Sequence, residues 1–122
     1  MSDASRQRIL VVEDDPAVRN LVTTALDLHG YDVEKAETGE LAVMEAASRN
    51  PDLIMLDLGL PDIDGVEVIS KVRGWSAVPI IVISARTEDS DKIGALDAGA
   101  DDYLTKPFSV EEQIGRASCR ER

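Results

Sequence analysis

Three uninterrupted apolar runs punctuate the chain: Ile9–Val12 (ILVV), Leu53–Leu56 (LIML) and Ile80–Ile83 (IIVI). Runs of this length without alternation suit strands covered on both faces, as in the interior of a parallel sheet. Two weaker strand candidates are YDVEKA, near Tyr31–Ala36, and DYLT, at Asp102–Thr105. Between the strands the period changes. Val18, Leu21, Val22, Ala25 and Leu26 line one face of a helix that Pro16 can start and Gly30 can end. A second helix is expected from about Thr38 to Ser48. A third opens at Asp64, whose side chain can cap it while Glu67 completes a capping box. A fourth covers roughly Asp89 to Ala98 with Gly99 as its stop, and a fifth opens at Ser109 with Glu112 in the capping-box position. Strict β-α alternation, five times over, predicts an α/β fold. Right-handed crossovers place helices over both faces of a doubly wound, five-stranded parallel sheet.

Composition narrows the class. With 122 residues, 43% hydrophobic and 30% charged, the chain fits one globular domain. It has no apolar run near the roughly 18 residues of a spanning helix, and MSDASRQR lacks the apolar core of a signal peptide, so a cytoplasmic protein with no membrane partner is expected. The single cysteine, Cys119, can form no internal disulfide. Thirteen basic against twenty-four acidic residues give a net charge of −11, a field that repels phosphate backbones and attracts cations. The chain by itself is not expected to bind DNA.

In an open α/β sheet a ligand sits outside the carboxyl ends of the strands, where the strand order reverses. The first strand is followed by Glu13, Asp14 and Asp15, the third by Asp57, the fourth by Ser84 and the fifth by Lys106. A carboxylate delivered by a core strand to its own tip is costly unless it is compensated. Asp15 reads as the N-cap of the first helix. Carboxylates converging from Glu13, Asp14 and Asp57 require a cation, and few oxygen-only ligands make Mg²⁺ the first expectation. Lys106 and the Ser84 hydroxyl supply donors for an anion, and the small Ala85 leaves room for a phosphoryl group. A metal, a lysine and a hydroxyl opposite a carboxylate suit phosphoryl transfer, with Asp57 as nucleophile forming an acyl phosphate. Asp62, Asp64 and Gly65 fit three positions of a calcium-binding EF-hand loop. Leu60 and Lys71 stand where its first and last carboxylates belong, so that reading fails. No phosphate-cradling glycine motif is present, and His29 and Cys119 have no zinc or nucleophile partners; His29 reads as a cation in the last turn of its helix.

VVEDD, DLGLPDIDG, VISAR and DDYLTKPF, in that order, resemble the receiver domain of bacterial two-component response regulators over residues 8–112. WSAVPIIVISAR and DKIGALDAGADDYLTKPF are most similar to the potassium-transport-operon (Kdp) type, within the class whose second domain is a DNA-binding winged helix. The resemblance implies the flavodoxin-like receiver fold with strand order 2-1-3-4-5. It implies that Asp57 accepts phosphate from a sensor histidine kinase, that Asp14 holds Mg²⁺ directly and Glu13 through water, and that the Gly59 carbonyl completes the protein ligands. It assigns Ser84 as switch hydroxyl, Lys106 as phosphate-binding lysine, Tyr103 as the aromatic that turns inward on activation, and a cis peptide from Lys106 to Pro107. Homodimerisation on phosphorylation would use Lys92, Asp97, Asp101, Asp102 and Glu112, and DNA would be reached only through an output domain beyond these residues. Residues 1–7 read as an N-terminal extension. QIGRASCRER departs from the family's fifth helix and resembles a translated sequencing adapter, so residues 113–122 read as a tail foreign to the fold. Two other functions fit the residues less well. A haloacid-dehalogenase-like phosphatase would carry D-x-D after the first strand, where three adjacent acids stand instead. A receiver-shaped module that takes no phosphate would leave the acid cluster an uncompensated cost.

Overall fold

The structure, a computed structural model, describes residues 7–84 and 89–105. The chain runs β1 (Arg8–Val12), α1 (Pro16–Leu28), β2 (Asp32–Ala36), α2 (Gly39–Arg49), β3 (Leu53–Asp57), α3 (Gly65–Arg73), β4 (Ile80–Ser84), α4 (Asp89–Ala98) and β5 (Asp102–Thr105). All strands pair in parallel in the order β2-β1-β3-β4-β5. Lys106, the Lys106–Pro107 peptide, the fifth helix expected from Ser109 with Glu112, and Ala85, Cys119 and residues 113–122 lie outside the described residues.

Side chains of a strand alternate between faces, and both faces here are covered, so both sets are apolar. Leu10, Val12, Ile54, Leu56, Ile80 and Val82 pack with Ala42 and Ala46 of α2, Val68, Ile69 and Val72 of α3, and Ala95 of α4. Ile9, Val11, Leu53, Met55, Ile81 and Ile83 pack with Val22 and Leu26 of α1. Each fully buried aliphatic side chain contributes about 1.5–3 kcal/mol. The helical face expected of α1 is corrected in one respect: Leu21 is 68% exposed. The sheet touches a narrower stripe than the apolar periodicity marks out, and Val22 and Leu26, one turn apart, fill it.

Local chemistry sets the helix ends. Asp15 accepts from the Ala17 N–H at 2.9 Å, Thr38 from the Leu41 N–H at 3.1 Å and Asp64 from the Val66 N–H at 3.0 Å, each an N-cap. His29 is the C-cap of α1, and Gly30 follows it with φ +87°, a conformation that needs no Cβ. Asn50 ends α2 in the left-handed region at φ 52°. The far end of α3 is tied to the turn before β5. Arg73 donates from Nε to the Gly99 carbonyl at 2.9 Å and from Nη2 to Asp101 at 3.1 Å, and the same Asp101 oxygen accepts from the Ile80 N–H at 2.8 Å. Among the described residues no helix is long and apolar enough to cross a membrane.

Candidate functional site

Register brings the acids together. Val12 of β1 pairs with Leu56 of β3, so the residues that follow, Glu13 and Asp57, emerge side by side at the carboxyl edge of the sheet. Asp57 is the last residue of β3, a strand flanked by β1 and β4, and it is only 7% exposed. Glu13 is 1% exposed, whereas Asp14 faces solvent. Carboxylate oxygens of Glu13, Asp14 and Asp57 all lie within 4.8 Å of one another.

Backbone contacts hold this edge in place. The Glu13 N–H donates to the Ala36 carbonyl at 3.0 Å, continuing the β1–β2 pairing one residue past the strand. Glu13 Oε2 accepts from the Asp15 N–H at 3.2 Å. Arg19, at the close of the first turn of α1, donates from Nη1 to the carbonyls of Glu13 at 2.9 Å and Asp14 at 3.4 Å. It braces the acid loop from behind, a role the helical periodicity of α1 did not reveal. The Gly59 N–H points at Asp57 Oδ1 at 3.4 Å, and a Cβ at residue 59 would lie 4.0 Å from Asp57 Oδ2. Gly59 therefore stands directly beside the Asp57 carboxylate.

Two carboxylates about 4 Å apart repel by about 4 kcal/mol at an effective dielectric near 20, whereas a net hydrogen bond contributes about 0.5–1.5 kcal/mol. One hydrogen bond is thus smaller than the repulsion within one such pair. The donor set, oxygen-only with two buried carboxylates and one open to water, fits a hard cation that keeps part of its hydration shell.

The other expected residues fall on the adjoining strands. Ser84 is the buried last residue of β4, beside Asp57 in the order of strands. It is in register with Thr105, and Lys106, next in sequence, lies outside the described residues. Tyr103 pairs in register with Val82 and is 8% exposed, so its ring already belongs to the core cluster that contains Ala95 and Ala100. On the α4–β5 surface Lys92 and Asp97 are exposed and Asp101 and Asp102 half-buried. The Asp101 carboxylate is engaged by Arg73 and Ile80, and Asp102 Oδ1 accepts from the Tyr103 N–H at 2.9 Å.

Known proteins are similar to the chain in sequence and fold. The response regulator receiver domain family matches residues 9–117. The chain is 61% identical over 108 residues to the KDP operon transcriptional regulatory protein KdpE of Escherichia coli, covering 88% of this chain and 48% of that protein. It is 47% identical over 117 residues to the transcriptional regulatory protein KdpE of Staphylococcus aureus, covering 96% of this chain and 51% of that one. The chain thus spans about half the length of the curated relatives it matches. The BeF3-activated N-terminal receiver domain of Klebsiella pneumoniae RstA superimposes with a TM-score of 0.88 at 33% identity, over 94% of this chain and 98% of that one. Sequence, strand order and the acid cluster agree, and the chain belongs to the response regulator receiver domain family.

Proposed function

We propose that this domain is a phosphorylation-controlled switch in which Asp57 accepts a phosphoryl group from the phosphohistidine of a sensor histidine kinase. The observation that carries the reading is the convergence of Glu13, Asp14 and Asp57 within 4.8 Å at the end of the central strand. Asp14, Asp57 and the Gly59 carbonyl would hold Mg²⁺, with Glu13 acting through water. When bound, Mg²⁺ neutralises the acid cluster and the charge that builds on the phosphoryl oxygens. An Asp57 oxygen attacks phosphorus as the P–N bond breaks, and the imidazole leaves with the electron pair. Lys106 would pair with a phosphoryl oxygen, and the Ser84 hydroxyl would donate to another.

Ser84 drawn toward the phosphoryl group leaves space beside Tyr103, and the α4–β5 surface adjusts with it. Lys92, Asp97, Asp101 and Asp102, together with Glu112 further along the chain, would then pair with a second copy. DNA would be engaged by a further domain, as suits relatives named as transcriptional regulators. A phosphatase that works through a phosphoaspartate is disfavoured by the receiver-family match and by the absence of D-x-D after β1.

Incubation with Mg²⁺ and acetyl phosphate is expected to add one hydroxylamine-sensitive phosphoryl group, read by mass spectrometry. Asp57→Asn should abolish it. Label that persists in Asp57→Asn, or catalytic release of phosphate over many turnovers, overturns the reading.

A further inference from the structure

Between β3 and α3 the chain carries two acids, Asp62 and Asp64, that phosphoryl chemistry leaves unused. Asp64 serves its own helix as the N-cap of α3. Asp62 serves a different one. Its Oδ1 accepts from the Gly39 N–H at 2.7 Å and its Oδ2 from the Glu40 N–H at 2.9 Å, the first two donors of α2. Thr38 Oγ1 takes the third, from Leu41, at 3.1 Å. The opening turn of α2 is thus completed by a carboxylate from a loop 23 positions away. Charge-assisted bonds to a helix N-terminus are among the stronger kind, because the N–H groups and the helix dipole both favour the anion.

Packing at the same place is close. A Cβ at residue 39 would sit 2.9 Å from Ile63 Cδ1 and 3.0 Å from Val68 Cγ2, so glycine at 39 lets the loop seat Ile63 on the helix start. The loop is also pinned at its base. The Gly65 N–H donates to the Leu58 carbonyl at 3.1 Å, and a Cβ at 65 would lie 2.7 Å from Leu58 Cα and 2.9 Å from the Asp57 carbonyl oxygen. Gly59 therefore lies on a short arch whose base is the end of β3 and whose crest is fastened to α2.

We propose that Asp62 is a positioning residue for the Asp57 site: by clamping the β3–α3 loop to the start of α2, it fixes where Gly59 stands beside Asp57. It thereby sets Mg²⁺ affinity and the rate of phosphoryl transfer. The inference rests on the reading that Asp57 takes a phosphoryl group with Mg²⁺. Groups that hold ligands from behind typically change metal affinity by about 10–100-fold when removed, and small displacements at a reacting centre cost comparable factors in rate.

The test compares the whole chain with Asp62→Ala, Asp62→Asn and Asp52→Ala, at a temperature where circular dichroism shows all four folded. Asp52 is the control: it accepts from the Arg8 N–H at 2.8 Å, at the opposite end of the strands. Mg²⁺ affinity is read by titration calorimetry and phosphorylation by initial rates with acetyl phosphate. Asp62→Ala is expected to weaken Mg²⁺ by about tenfold and to slow labelling in step. Asp62→Asn, which keeps one acceptor oxygen, should fall between Asp62→Ala and the wild type, and Asp52→Ala should match the wild type. Wild-type values in Asp62→Ala, or an equal loss in Asp52→Ala, overturn the positioning role while the site reading stands. A wild-type chain that neither binds Mg²⁺ nor takes label overturns both.

Discussion

Asp62 also illustrates how a single side chain ties charge to pH. The N–H groups of Glu40 and then Gly39 hold its carboxyl below the usual carboxylate range. A depressed folded-state value means that the ionised form is favoured by folding, so the stabilisation is complete above the unfolded value of about 3.9 and is lost as pH falls through the folded one. Comparison with Asp62→Asn isolates this group, because asparagine does not titrate. The melting-temperature gap between the two proteins should be constant above about pH 5 and should close below about pH 4. A gap that stays open through the acid range would show that the ionised form is not what α2 recognises. Asp62 is exposed, so added salt should narrow the gap at neutral pH.

For a whole element, α1 separates apolar periodicity from burial. Five apolar residues recur on its expected inner face, yet the sheet presses on the row through Val22 and Leu26, and Leu21 stands in water. The costs of substitution should follow contact and not hydropathy. Leu26→Ala is expected to cost about 2–5 kcal/mol, the range for emptying a buried aliphatic site. Leu21→Lys should stay within about 0.5 kcal/mol of the wild type, as exposed substitutions do. Urea unfolding of both variants decides it; comparable losses would mean that Leu21 is covered in solution. The same lesson holds at α3, where Arg73 looks like an ordinary basic residue in a last turn but spends its guanidinium on Gly99 and Asp101.

Over the whole molecule, charge and surface bear on assembly. Two copies with a net charge of −11 repel, so association needs a local surface that outweighs the field. The α4 surface carries Lys92 together with Ile93 and Leu96, large apolar side chains open to solvent. With Asp101 already bonded within the chain, Lys92 and Asp97 are the charges best placed to pair across a two-fold axis. Beryllofluoride with Mg²⁺, as a phosphoryl mimic, should raise the dimer fraction in light scattering, and Lys92→Glu should lower it. Equal monomer fractions in all samples would remove this face from the proposal.

Parallel direction and the acids at the strand tips were legible in the sequence because each depends on neighbours in the chain, whereas the strand order came only from the family resemblance. Unbroken apolar runs mean two covered faces, β-α alternation means crossovers, and Glu13, Asp14, Asp57 and Ser84 follow or end their strands directly. The caps at Asp15 and Asp64 and the stops at Gly30 and Gly99 are local in the same sense. Tertiary structure alone decided which apolar residues of α1 touch the sheet, that Arg19 braces the carbonyls of Glu13 and Asp14, and that Arg73 grips the turn before β5. It alone brought Asp62, which its own segment offered only as part of a failed calcium-loop pattern, to the start of α2. The physical reason is one of range. Periodicity and capping report forces along a few residues of chain, whereas a hydrogen bond between elements exists only once packing has set their distance and angle.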